Sequence, residues 1–102
     1  MSKILNDDLI YLVLSIVEEI TKGKVVTYGQ LAYLAGKPKN SRLVGKILSM
    51  SNFYGEYPCH RVVNSNGRIA PYFIEQKQLL ENEGVTFKNE TCVDLKKHKW
   101  EI

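Results

Sequence analysis

The chain has 102 residues, 44% of them apolar and 25% charged, with a formal net charge of +3. That length allows one compact domain rather than two with separate cores, and the composition excludes a disordered tail or a fibre. The charge is unevenly spread: residues 1–21 carry −3, residues 22–68 carry +7 and residues 69–102 carry −1. A concentrated basic block suits a polyanionic partner, and it equally describes a solvated surface that happens to be basic.

The longest apolar run, Leu9 to Val17, is broken only by Ser15. It is too short for a membrane span, which needs about 20 residues. Asp7, Asp8, Glu18 and Glu19 flank it with no small-residue cleavage site, unlike a secretory leader. A cytoplasmic protein with no membrane partner is therefore expected. Leu9, Ile10, Leu12, Val13, Ile16, Val17 and Ile20 recur at helical spacing and predict a core helix, capped by Asn6 and stopped near Gly23. Lys24-Val25-Val26 reads as short and extended. Thr27 followed by Gln30 is a capping box, so a helix starts at Tyr28 and runs through Leu31 and Leu34 to Ala35, where Gly36 stops it. After the turn Gly36-Lys37-Pro38-Lys39, Asn40 or Ser41 can cap a further helix that ends near Met50. Two short helices joined by a tight Gly-containing turn make a helix-turn-helix pattern, which generic helical hairpins share.

In the second of these helices Leu43, Val44, Ile47 and Leu48 fall on one arc and can face the core. Ser41, Gly45 and Ser49 form a stripe with almost no side chain, and Arg42 and Lys46 lie beside it. Such a face lets a backbone approach a DNA groove closely. Small residues also serve helix–helix packing, but the flanking cations favour DNA. Farther on, Ser51 to Pro58 is a loop, and Cys59-His60-Arg61-Val62-Val63 ends in strand-like residues. Asn64-Ser65-Asn66-Gly67 is turn chemistry that predicts a hairpin, with Arg68-Ile69 returning. Glu75 to Glu83 reads as a helix stopped by Gly84, and the chain closes on Lys96-Lys97-His98-Lys99-Trp100. The expected fold is mostly α with a few short strands, a single winged helix-turn-helix-like domain over residues 1–102.

Cys59 and His60 are the one adjacent pair able to act as nucleophile and base. A free thiol is only a few per cent ionised at neutral pH and needs a base or a positive environment. Neighbours on a regular strand point to opposite faces, so the pair can cooperate only where the backbone turns, and Pro58 favours such a turn. A cysteine is as readily a small buried hydrophobe. Cys59, His60, Cys92 and His98 would supply a metal set, but their spacing matches no usual zinc arrangement, so no metal is expected. Cys59 and Cys92 permit one disulfide, yet nothing points to an oxidising compartment. The sequon Asn89-Glu90-Thr91 is accidental on the same ground.

Taken together these residues resemble a known family. Pro58-Cys59-His60-Arg61-Val62-Val63 is similar to the active-site motif of the O6-alkylguanine-DNA alkyltransferases. Gly23 through Ala32 with Leu34-Ala35-Gly36 resembles the family's first DNA-binding helix, and Arg42-Leu43-Val44-Gly45 its recognition helix. Leu79 through Val85 resembles the segment carrying its buried glutamate. The resemblance implies minor-groove binding, flipping of the damaged guanine into a pocket, and irreversible transfer of the alkyl group to Cys59. It makes Arg42 the finger that fills the vacated space, and gives Tyr28 the task of rotating and contacting the base. His60, through a water and Glu83, would draw off the thiol proton, without metal or diffusible cofactor. Ser41, Gly45, Lys46, Ser51, Asn52, Arg61 and Tyr72 complete the expected DNA- and base-binding set, on a monomer acting on double-stranded DNA.

The chain departs from that pattern in three places. Ser51, next to Asn52, replaces the family's usual Asn before the Pro-Cys motif. Phe73-Ile74-Glu75 follows Tyr72 where the family has a Ser-Gly-Gly loop. No counterpart of the family's N-terminal domain is expected. The last two features, with the tail from Leu95 to Trp100, are similar to the alkyltransferase-like proteins, which typically have Trp at the position of Cys59. Those proteins bind alkylated guanine without repairing it and pass it to other repair proteins. Two readings follow: a single-turnover transferase acting through Cys59, and a lesion sensor without chemistry. A helix-turn-helix regulator that reads a base sequence is a third.

Overall fold

The computed structural model describes residues 7–101. The expected cap at Asn6 lies outside them. Helix α1 spans Asp7–Glu19. It ends before Gly23 because Ile20 N–H turns back to the Val17 carbonyl and a separate turn then closes from Lys24 N–H to the Thr21 carbonyl. Its buried stripe is Leu9, Ile10, Val13, Leu14 and Val17, while Leu12 is exposed. Leu14, four residues after Ile10 and three before Val17, occupies the core position that simple spacing gave to Leu12.

Strand β1 (Val26–Thr27) leads into α2 (Tyr28–Leu34), and α3 (Ser41–Ser49) follows the turn. The Thr27 hydroxyl accepts from Gln30 N–H at 3.1 Å, as the capping box predicts. The reciprocal half of the box is absent, since the Gln30 amide donates instead to the Trp100 carbonyl at 3.3 Å and ties the tail to α2. Leu43, Val44 and Ile47 are buried, with Leu48 packed at the edge of the core. Together α1, β1, α2, α3 and Val62 enclose the larger of two apolar clusters.

Strand β2 is Val62–Val63, and it pairs in parallel with β1 in the register Val26 to Val62 and Thr27 to Val63. The Asn64–Gly67 turn closes as expected, with Asn64 N–H on the Arg68 carbonyl. The expected hairpin does not form, however. Val62 and Val63 are buried and pair with β1, and Arg68 bridges Cys92 in antiparallel fashion. The return segment therefore belongs to a second, smaller cluster of Val25, Val63, Leu80, Val85 and Val93.

Helix α4 is Gln76–Asn82 and α5 is Leu95–His98. At the end of α4, Gly84 takes φ +89°, Gly84 N–H bonds the Glu81 carbonyl and Val85 N–H bonds the Leu80 carbonyl. This is a Schellman stop, which only a residue free to adopt a left-handed backbone makes at no cost. It leaves Glu83 as the cap residue just past the helix, aimed back into the body of the domain. No helix among the described residues is long and apolar enough to cross a membrane.

Candidate reactive cleft and nucleic-acid interface

Pro58 cannot extend a strand ladder, and the chain turns at it: Cys59 N–H bonds the Tyr57 carbonyl and Arg61 N–H bonds the Pro58 carbonyl. Cys59–Arg61 is thus a single 3-10 turn before β2. Cys59 faces a cavity of about 240 Å³ whose walls include Tyr28, Ser51, Asn52, Tyr57, Tyr72 and Phe73. Its thiol donates to the Ser51 hydroxyl at 3.4 Å. Burial pushes the thiol up from its ordinary value, and the Ser51 hydroxyl pulls it back only in part.

His60 turns the other way. Its Nε2 lies 2.7 Å from Glu83 Oε2. Arg61 grips the same carboxylate at both oxygens, Nε to Oε1 at 2.9 Å and a terminal nitrogen to Oε2 at 2.8 Å. Gly23 N–H adds a longer bond to Oε1 at 3.4 Å. Burial alone would raise the Glu83 carboxyl, but the bonds from Arg61, His60 and Gly23 outweigh it and hold the group down to about 2. An ionised carboxylate only accepts, so His60 Nε2 carries the proton, and in the neutral ring Nδ1 holds the basic lone pair. No hydrogen bond links Cys59 to His60 directly among the described residues.

Beside the cysteine cavity lies a second, wider cleft of about 490 Å³ between α3 and residues 64–72. Ser41, Arg42 and Gly45 form its α3 wall, and Asn64 and Arg68 stand on the opposite wall. A Cβ built on Gly45 meets nothing within 4 Å. The small-residue stripe is therefore not a helix-packing face within this domain; it is open. Tyr28, Ala70 and Tyr72 line both clefts and form the partition between them. Burial and the neighbouring Tyr72 hydroxyl, with Cys59 beyond it, push the Tyr28 phenol up to about 12, so it stays a hydrogen-bond donor at neutral pH.

The structure thus gathers Tyr28, Ser51, Asn52, Cys59 and Tyr72 around one cavity, and Ser41, Arg42 and Gly45 beside it. His60 and Glu83 meet behind the turn. Lys46 is exposed on the outer flank of α3 and lines neither cleft. Arg61 does not reach a cleft either. Besides Glu83, it donates to the Ile20 carbonyl at 2.8 Å, and its side chain is 14% exposed. A guanidinium so engaged orders the turn. Asn64, Arg68 and Gln76 are cleft residues that sequence patterns did not mark as part of a site. Arg68 had a weak signal as part of the basic block, while Gln76 had none. Among the described residues no group of three or more His, Cys, Asp or Glu is placed to hold a metal ion, and both cysteines are free thiols.

Comparison with known proteins agrees with this geometry. The family model described as 6-O-methylguanine DNA methyltransferase, DNA binding domain, matches residues 10–85. A DNA base-flipping protein of Vibrio parahaemolyticus is 37% identical over 98 residues, 93% of this chain and 98% of that protein. A methylated-DNA–protein-cysteine methyltransferase of Cricetulus griseus is 40% identical over 77 residues, which span 72% of this chain but 37% of that protein. Among solved structures, S. pombe Atl1 in complex with damaged DNA containing O6-carboxymethylguanine superposes with a TM-score of 0.87 at 32% identity, covering 97% of this chain and all of that one. On these grounds the chain belongs to the family of the 6-O-methylguanine DNA methyltransferase DNA-binding domain.

Proposed function

We propose that the protein binds duplex DNA along the open face of α3, turns an O6-alkylguanine out of the stack, and takes its alkyl group onto Cys59 once per molecule. The observation that carries this reading is the sharing of Tyr28, Ala70 and Tyr72 between the α3 cleft and the Cys59 cavity. A base leaving a helix seated on α3 has only that partition to cross. Arg42, at the edge of the cleft, fills the vacated stack, and the bare stripe at Ser41 and Gly45 lets the groove come close. The protein acts on DNA as a monomer inside the cell.

In the transfer, the alkyl carbon exchanges its bond to guanine O6 for a bond to Cys59 Sγ. The thiol proton leaves toward His60 Nδ1 through a bridging water, and an equivalent proton ends on the guanine, which is released unmodified. Glu83 stabilises the imidazolium that forms, and Tyr28 donates a hydrogen bond to the base. The step needs no metal or diffusible cofactor, because the lesion and the thiol supply every atom exchanged. Incubation with an O6-methylguanine duplex should add one CH₂ to the Cys59 peptide by mass spectrometry. An unchanged peptide at full lesion occupancy would overturn the reading.

One observation favours the alternative of a lesion sensor that hands the base to other repair proteins: burial pushes the Cys59 thiol up from its ordinary value, away from the reactive thiolate. In that case Cys59→Ala retains full preference for the alkylated duplex and the wild-type peptide gains no mass.

A further inference from the structure

Gln76, the first residue of α4, is 1% exposed, and among the described residues Ser51 is the one other buried polar side chain. Burying a primary amide is costly unless its donors and acceptor are used. Here they are: Oε1 accepts from Ala70 N–H at 2.7 Å, and Nε2 donates to the carbonyls of His60 and Val62, each at 3.0 Å. The two carbonyls belong to the reactive turn and to the strand residue that ends it. Ala70 lies on the partition between the clefts, two residues before Tyr72. A single side chain therefore ties the turn that bears Cys59 to the loop that bears Tyr72, at the wall of the cavity that both residues line.

We infer that Gln76 is a positioning residue for the chemistry at Cys59, setting the placement of the thiol relative to the base-facing loop. The inference rests, for its activity readout, on Cys59 being the alkyl acceptor. Two variants of the full chain in a Cys92→Ser background test it. Gln76→Met keeps the volume and removes every hydrogen bond. Gln76→Lys restores donors for the His60 and Val62 carbonyls and leaves Ala70 unpaired. Each is assayed for alkyl transfer from a saturating O6-methylguanine duplex, affinity for that duplex, alkylation of Cys59 by iodoacetamide without DNA, and thermal midpoint.

Gln76→Met should slow saturated transfer by about tenfold or more while changing duplex affinity by less than about threefold. Gln76→Lys should recover most of the rate. Saturated transfer within about twofold of wild type in Gln76→Met overturns the inference, as does a Gln76→Lys protein that is folded yet equally slow. If Gln76→Met does not fold, Gln76→Lys decides alone: transfer within about threefold of wild type supports the role of the donors, and a deeper loss overturns it. If the wild type transfers nothing, the reading of Cys59 fails by itself and the iodoacetamide rate decides for Gln76. A change of about threefold or more in Gln76→Met then supports the inference, and an unchanged rate overturns it.

Discussion

The Cys59 thiol has its hydrogen-bond partner not in His60, its neighbour in the chain, but in Ser51, whose hydroxyl lies 3.4 Å from Sγ. Ser51 is itself buried, and it stands where the resemblance led one to expect an asparagine. While the sulfur is protonated it donates to Ser51. Once the proton is lost, the hydroxyl can rotate and donate to the thiolate, which is why this contact opposes the effect of burial.

Ser51→Ala removes that opposition. The midpoint of the pH–rate profile for alkylation of Cys59 by iodoacetamide, measured with Cys92 replaced by Ser, should move upward. At pH 7 the reaction should slow by about threefold, in proportion to the thiolate lost. A profile that stays in place removes Ser51 from the control of the thiol.

Glu83 links three parts of the fold, receiving hydrogen bonds from His60, Arg61 and Gly23. Its carboxyl is held down to about 2, against about 4.3 in an unfolded chain. A group depressed on folding contributes stability that is complete above its unfolded value and is lost as the pH falls through its folded value. Wild-type stability should therefore decline between about pH 5 and pH 2, and Glu83→Gln should show a flatter profile over that window. Glu83→Ala, which strands Arg61 in a largely buried site, should lose roughly 3 kcal/mol at pH 7 by urea unfolding. Equal acid sensitivity in wild type and Glu83→Gln would assign the slope to other carboxylates.

Gly45 separates stability from binding. Since a Cβ there meets nothing within 4 Å, Gly45→Ala should stabilise α3 by about 0.5–1 kcal/mol, the usual gain of replacing glycine inside an exposed helix. Gly45→Leu should also fold, yet it fills the bare stripe and should weaken duplex binding by about tenfold or more in fluorescence anisotropy, because the groove can no longer approach the backbone. Undiminished affinity in Gly45→Leu would move the DNA off this face.

Gly67 behaves oppositely. It sits at φ +88°, and a Cβ there would lie 2.7 Å from the Val93 carbonyl oxygen and 3.1 Å from Leu95 Cγ. Backbone strain and overlap act together, so Gly67→Ala should cost roughly 2–4 kcal/mol in thermal or urea unfolding. A stability within about 0.5 kcal/mol of wild type would mean that the bridge between Arg68 and Cys92 yields easily.

The parts of the molecule legible in the sequence are those whose causes are local. The Thr27 cap, the extent of α2 and α3, the buried arc of Leu43, Val44 and Ile47, and the Gly84 stop all depend on residues within about one turn of one another. The turn at Pro58 was legible for the same reason. Illegible were the contacts made across the chain. Arg61 sits in the basic block and has the charge of a phosphate ligand, but within the domain its guanidinium binds Glu83 and the Ile20 carbonyl. Gln76 occupies an unremarkable position in a polar stretch, and only folding buries it against His60, Val62 and Ala70.

By itself the sequence determined a small, mostly helical domain with a helix-turn-helix, a bare cation-edged α3 face, and a Cys-His pair released from strand geometry by a proline. Periodicity, capping and turn chemistry act over a few residues and can be read in order. The tertiary structure alone decided that Val62 and Val63 pair with Val26 and Thr27 and not with their own hairpin return, that Glu83 binds Arg61 as well as His60, and that the Cys59 cavity opens beside α3. These outcomes depend on which distant apolar and charged groups meet when the two cores close. That closure is settled by the free energy of the whole packed domain, to which no short stretch of the chain holds the answer.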